Sequence, residues 1–342
     1  MKSLFFTGVA AFAVSTAAAT DYYWSTNDTT SWSENREYWS ENVDGSGTLT
    51  GWTAGINDGT NTAIFSADGY TDAKTITLYS DAKTQGLVFR NGSHTKITGG
   101  NTSAQVTVGT DGITTEVTAV ASIGYYSAMN VGLTSSQTWT LNSTGSFAIN
   151  PTSSGSYTIH SLATSGVTTL SIAGTGSGGA SLNAPLIDGD SGSILALTTS
   201  RNVSLGKLNT YTGDTLINAG TLTLSNSGGL TFAIGADGVN NSISGTGSAA
   251  LNGSFTFDLT EADTVGTWNI VDTSSLSTTF GGTFSVNGFS ESAAGIWESG
   301  TGYTFSEITG ELTAIPEPAS FALLTAGVVA CLTLHRRRQH SA

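Results

Sequence analysis

Two carboxylates stand two residues apart in Asp188-Gly189-Asp190-Ser191-Gly192. Such a pair could lend oxygens to Ca2+, which takes six to eight. The stretch lacks the rest of a calcium-loop spacing and its closing Glu. As a turn carrying surface acids it needs no metal, so calcium on Asp188 and Asp190 is the weaker expectation and no cofactor the stronger. Glu34, Glu37 and Glu41 are the densest set of acids and read as a solvated face. A glycosidase pair would need a cleft and a defined carboxylate separation, which a sequence does not display. His94 and His160 are the only histidines outside the C-terminal tail. An acid–base enzyme would have to gather acids around Arg90, Lys96, Arg201 or Lys207; an inert chain would leave these cations scattered. Neither H-E-x-x-H nor G-x-S-x-G occurs. Gly174, Gly176 and Gly179 spell G-x-G-x-x-G, but no helical pattern follows, so dinucleotide binding is not expected. Four of the seven tryptophans fall between Asp21 and Trp52. The indoles of Trp24, Trp32 and Trp39 could stack on sugar rings, or they could seal the end of a fold.

Those side chains sit in a chain of unusual composition. Only 11 % of its 342 residues are charged, the net charge is −14, and there are 43 glycines, four prolines and one cysteine. An acidic surface repels nucleic acid, and the basic residues are too few for a nucleic-acid groove. Apolar and polar residues alternate in Thr75 to Tyr79, Gln105 to Val108, Thr168 to Ile172 and Phe255 to Leu259, the pattern of half-buried strands. Turn dipeptides punctuate them: Asp58-Gly59, Asp68-Gly69, Asn91-Gly92, Asp111-Gly112, Asp188-Gly189, Asp237-Gly238, Asn252-Gly253 and Asn287-Gly288. No helical period lasts more than two turns between the ends. The expected fold is all-β. A sandwich would need strands of similar length in hairpins. A parallel β-solenoid, with rungs of roughly 20 residues stacked about 4.8 Å apart, better suits low charge, abundant Thr, Ser and Asn, and a fold without disulfides.

The two ends read as addresses. Lys2, the apolar Leu4 to Val14 and Ala17-Ala18-Ala19 make a secretory signal peptide with cleavage after Ala19. At the other end, Pro316-Glu317-Pro318 precedes an uncharged run from Ala319 to Leu334 and then Arg336-Arg337-Arg338. As a helix the run spans about 24 Å, and the arginines would stay on the cytoplasmic side of a membrane. This tail resembles the PEP-CTERM sorting signal of Gram-negative bacteria. The resemblance implies an exosortase as partner after Sec-type export, an intermediate in the inner membrane, and removal of the tail near Pro316, Glu317 and Pro318. An ordinary C-terminal anchor is the alternative.

Leu208 to Leu224 reads LNTYTGDTLINAGTLTL. Asn209, Tyr211, Gly213, Thr215, Ile217, Gly220 and Leu222 make it similar to the autotransporter-associated β-strand repeat, with Asp214 where that repeat more often has Gly. The resemblance implies a right-handed β-helix in an exported bacterial protein. The expected layout is a signal peptide over 1–19, an aromatic cap over 20–55, a β-solenoid over 56–265 with the repeat at 208–224, a closing β cap over 266–315, and the sorting signal over 316–342 with its membrane helix over 319–334. Three functions follow as expectations. The first is a non-catalytic structural protein displayed at the cell surface or released into an extracellular polysaccharide matrix. The second is a polysaccharide lyase or hydrolase on the same fold. The third is a glycan-binding adhesin using Trp24, Trp32 and Trp39.

Overall fold

The computed structural model describes residues 19–32, 36–90, 92–101, 104–127, 129–149 and 157–314. The leader with Ala17, the acid Glu34, and the whole sorting tail from Pro316 to Arg338 lie outside the described residues. Within the described residues every regular element is a β-strand, and no helix is long and apolar enough to cross a membrane.

Long parallel sheets run the length of the molecule, the arrangement of a β-solenoid. Through the middle of the coil each turn of the chain lays one strand on each of three faces. Gln137–Leu141, Phe147–Ile149 and Ile159–Ser161 make one such turn, and Val167–Ala173, Ala180–Leu182 and Leu186–Ile187 lie beside them in the next. Gln105–Thr115 serves two faces in a single bent strand. Its first part pairs with Asn130–Leu133 and its second with Gln137–Leu141. The expected turn Asp111-Gly112 is therefore a corner within a strand.

The alternation seen in the sequence decides which residues fill the coil. On one face Ile76, Ile97, Ile123, Ile149, Leu182, Leu205, Leu224 and Leu251 stand in register, each beside the next. All are buried. Because side chains alternate across a strand, one aliphatic residue per turn builds a continuous apolar column. A rung near 20 residues is met around the repeat-like stretch, where Asn202 bonds across 19 residues to Thr221. Elsewhere rungs are longer: Asn142 bonds across 33 residues to Thr175.

Both ends of the coil are closed by bulky residues. At the first end Trp24, Trp32, Trp39, Trp52 and Phe65 form one cluster of ring contacts, with Trp24–Trp39 and Trp32–Trp52 edge to face at 84° and 88°. Asp21–Trp24 joins the parallel sheet beside Thr62–Phe65 and accepts Trp39–Ser40 antiparallel on its other edge. At the second end the parallel order stops. Phe289–Ala293, Ile296–Ser299, Tyr303–Ser306 and Glu311–Ala314 form an antiparallel sheet completed by Gly266–Asn269. Phe305 is buried against Phe255, Phe257, Phe280 and Phe284. Ser277–Phe280 and Ser285–Val286, within the same C-terminal stretch, still continue the parallel faces.

Candidate functional site

The seven residues of the repeat-like stretch divide between the backbone of stacked rungs, served by Asn209, Gly213 and Gly220, and the interior of the coil. Asn209 is buried, and its side chain serves two neighbouring turns. Its Oδ1 accepts from Leu186 N at 2.9 Å, and its Nδ2 donates to Lys207 O at 2.7 Å and Gly229 O at 2.9 Å. Tyr211 lies inside with its hydroxyl 2.5 Å from Thr215 Oγ1, and burial pushes the phenol pKa up. A Cβ at Gly213 would stand 2.4 Å from Leu195 O, so the rung before leaves no room for a side chain. Ile217 and Leu222 fill the core. Gly220 turns at φ +73° against the backbone of Arg201, a conformation and a closeness that glycine meets best.

Asp188 does similar work. Its carboxylate accepts from Leu195 N at 2.7 Å, from Thr212 Oγ1 at 2.6 Å and from Thr212 N at 3.1 Å. These donors leave it poorly placed as a calcium ligand. Asp190, two residues on, is exposed, and among the described residues no three His, Cys, Asp or Glu side chains gather as a metal site would require. The same device recurs along the coil. Asp214 Oδ1 accepts from Ser242 N at 2.8 Å, Asp237 Oδ1 from Thr267 N at 2.9 Å, and Asn130 Oδ1 from Thr158 N at 3.0 Å. Acceptors at rung corners thus bind the N–H groups of the next rung, which otherwise would go unpaired.

The cations expected to mark an enzyme are spread along the stack. Arg90 meets Asp68 at 2.9 Å, donates to Ser66 O at 3.0 Å, and covers the ring of Tyr23 at 5.7 Å. A cavity of about 180 Å3 beside it also touches Glu116 and Thr71. Lys96 lies 3.9 Å above the Tyr125 ring. Arg201 is several rungs away, buried, and donates to Gly174 O at 3.0 Å and to Gly178 O. Its guanidinium therefore holds backbone carbonyls. Gly174, Gly176 and Gly179 belong to that wall. At each a Cβ would meet the neighbouring rung's backbone within 2.5 Å, which accounts for the glycines without a nucleotide.

One nucleophile and one base do meet. Lys74 Nζ donates to Ser66 Oγ at 2.9 Å and to Tyr70 O at 2.5 Å. Burial holds the lysine pKa down to about 8, against a smaller opposing pull from Asp72. A neutral lysine could take a proton from a serine. Here each residue is only 2 % exposed, so a substrate carbonyl has no approach to Ser66. No sequence pattern marks this pair, because Lys74 stands on an ordinary alternating strand and its burial depends on the loop Ser66–Tyr70. His160 is half-buried, with its Nδ1 3.0 Å from Thr158 Oγ1, and burial draws its pKa down.

The expectation that Trp24, Trp32 and Trp39 contact glycan is corrected. They are 0 %, 1 % and 0 % exposed, since each faces the first rung and its indole is enclosed by the others. An indole with no exposed face cannot stack on a sugar. The fold and these bonds define an all-β coiled chain whose polar residues mostly fasten one rung to the next. Comparison with models of known families, with curated proteins and with solved structures found no match.

Proposed function

We propose that this chain is an exported structural protein of the bacterial cell surface or extracellular matrix. Its body is a right-handed β-solenoid without catalytic activity. On this reading Ala17 and Ala19 frame the signal-peptide cleavage site. Pro316, Glu317 and Pro318, with the apolar run 319–334 and Arg336 to Arg338, carry the chain to an exosortase through an inner-membrane intermediate. The observation that carries the proposal is the use of the polar residues. Asn209, Asp188, Asp214 and Arg201 are each engaged with backbone groups of another rung. The pattern supports a scaffold, and the resemblance of Asn209, Tyr211 and Gly213 to a repeat of exported β-helices agrees with it.

Fractionation of the native cell with intact-mass measurement tests the proposal. The expected product begins at Thr20, lacks the tail and is found outside the inner membrane. Replacing Pro316-Glu317-Pro318 with alanines should leave a longer precursor in the inner membrane. A cytosolic protein with both ends uncut would overturn the reading. A polysaccharide lyase or hydrolase remains the alternative function, and release of unsaturated or reducing sugar ends from polysaccharide by the purified protein would favour it.

A further inference from the structure

On one face of the coil a trough of about 500 Å3 crosses four successive rungs. Its floor includes Ala180 and Val203, and Ser204 and Thr223 stand beside one another in register above it. Asn202 and Thr221 form a second row, tied by the 3.0 Å bond from Thr221 N to Asn202 Oδ1. Four rungs at the usual strand spacing give a length of about 14 Å. The longer loop through Gly174–Gly179 makes one wall. That wall is fixed before any ligand arrives: Gly176 N and Gly178 N donate to Leu141 O and Ser143 O, and Arg201 grips Gly174 O and Gly178 O from behind.

The lining chemistry is narrow. No charged and no aromatic side chain takes part. The hydroxyls of Ser146, Ser177, Ser204, Thr221 and Thr223 make no hydrogen bond to other described residues. Some hydroxyls elsewhere on the coil, those of Thr212, Ser242 and Thr246, are spent on a neighbouring rung. A hydroxyl both donates and accepts, so these rows complement a ligand that is itself a row of hydroxyls. The uncharged lining offers no partner to a cation or an anion, and the acidic chain around it repels polyanions. An extended ligand fits the shape, because the trough runs across the strands.

We infer that this trough, lined by Ser204, Thr221 and Thr223, binds a chain of neutral polysaccharide. The inference rests on the reading of the protein as an exported surface component and gives that component its point of attachment to the matrix. Preorganised walls reduce the cost of ordering on binding, and several weak hydroxyl contacts along one chain act together.

Affinity electrophoresis of the full exported chain in gels containing hydroxyethyl cellulose, dextran or alginate tests this. Retardation by a neutral polymer is expected, with none by alginate. The triple variant S204A, T221V and T223V should keep its melting temperature and weaken the neutral-polymer interaction at least tenfold. The pair T75V and T77V, on the same face but outside the trough, should bind as the native chain does. Retardation by alginate alone, no retardation in any gel, or neutral binding unchanged in the triple variant would each overturn the inference. None of these results bears on where the cell sends the protein, which fractionation decides independently.

Discussion

Asp188 and Thr212 join two rungs through both a side-chain and a backbone bond. The carboxylate takes the Thr212 hydroxyl at 2.6 Å and the Thr212 N–H at 3.1 Å. Removing it leaves those donors and Leu195 N without their acceptor. D188A should lower stability by about 2 kcal/mol, and D188N by less, as read by urea unfolding. Because the carboxylate is already engaged, millimolar calcium should leave the native midpoint within about 1 °C of the metal-free value. A clear calcium-dependent rise would restore the metal reading of Asp188 and Asp190.

Gly174 sits at φ +124°, and a Cβ there would fall 2.3 Å from Leu141 O. Gly192 also has positive φ, at +78°, but its Cβ would meet open space. G174A combines strain with a clash against fixed backbone, whereas G192A carries strain alone. Thermal unfolding should therefore show G174A to be several degrees less stable than G192A. Equal losses would mean that rung spacing adjusts freely at this corner.

Trp39 touches Trp24, Trp32, Trp52 and Phe65 at centroid separations between 4.8 and 5.3 Å. W39A should cost roughly 3 to 5 kcal/mol, the range for emptying a large aromatic site. The intrinsic fluorescence of the folded variant should shift to the red as water enters. Polysaccharide binding measured on whatever fraction remains folded should be unaffected, since the indole faces inward.

Lys74 makes stability depend on pH in the alkaline range. Its pKa is about 8 in the folded chain and about 10.4 when unfolded. Below pH 8 both states carry the proton, and the folded state bears the cost of a buried charge. Between these values the unfolded chain binds more protons, so stability rises with pH. The native melting temperature should climb from pH 7.5 to pH 9.5 relative to that of K74M, in which this slope is absent. Parallel pH profiles would show that Lys74 stays charged throughout.

Much of the coil was legible in the sequence. Thr75 to Tyr79 and Thr168 to Ile172 announced strands because burial on one face imposes a two-residue period; the structure has strands at Ala73–Leu78, which stops one residue short of Tyr79, and at Val167–Ala173. In the repeat-like stretch Asn209, Tyr211 and Gly213 stand out by type and spacing, and all three are engaged inside the coil. Three things were decided only by tertiary structure. The tryptophans of the first 52 residues could equally have faced outward, because sequence spacing does not say which side of a first strand another element covers. The union of Ser66 with Lys74 depends on how one loop folds over one strand. The trough exists because rungs of unequal length lie side by side, and that register is set by pairing between residues about 19 to 33 apart, a distance over which local pattern fixes the faces of strands but not their neighbours.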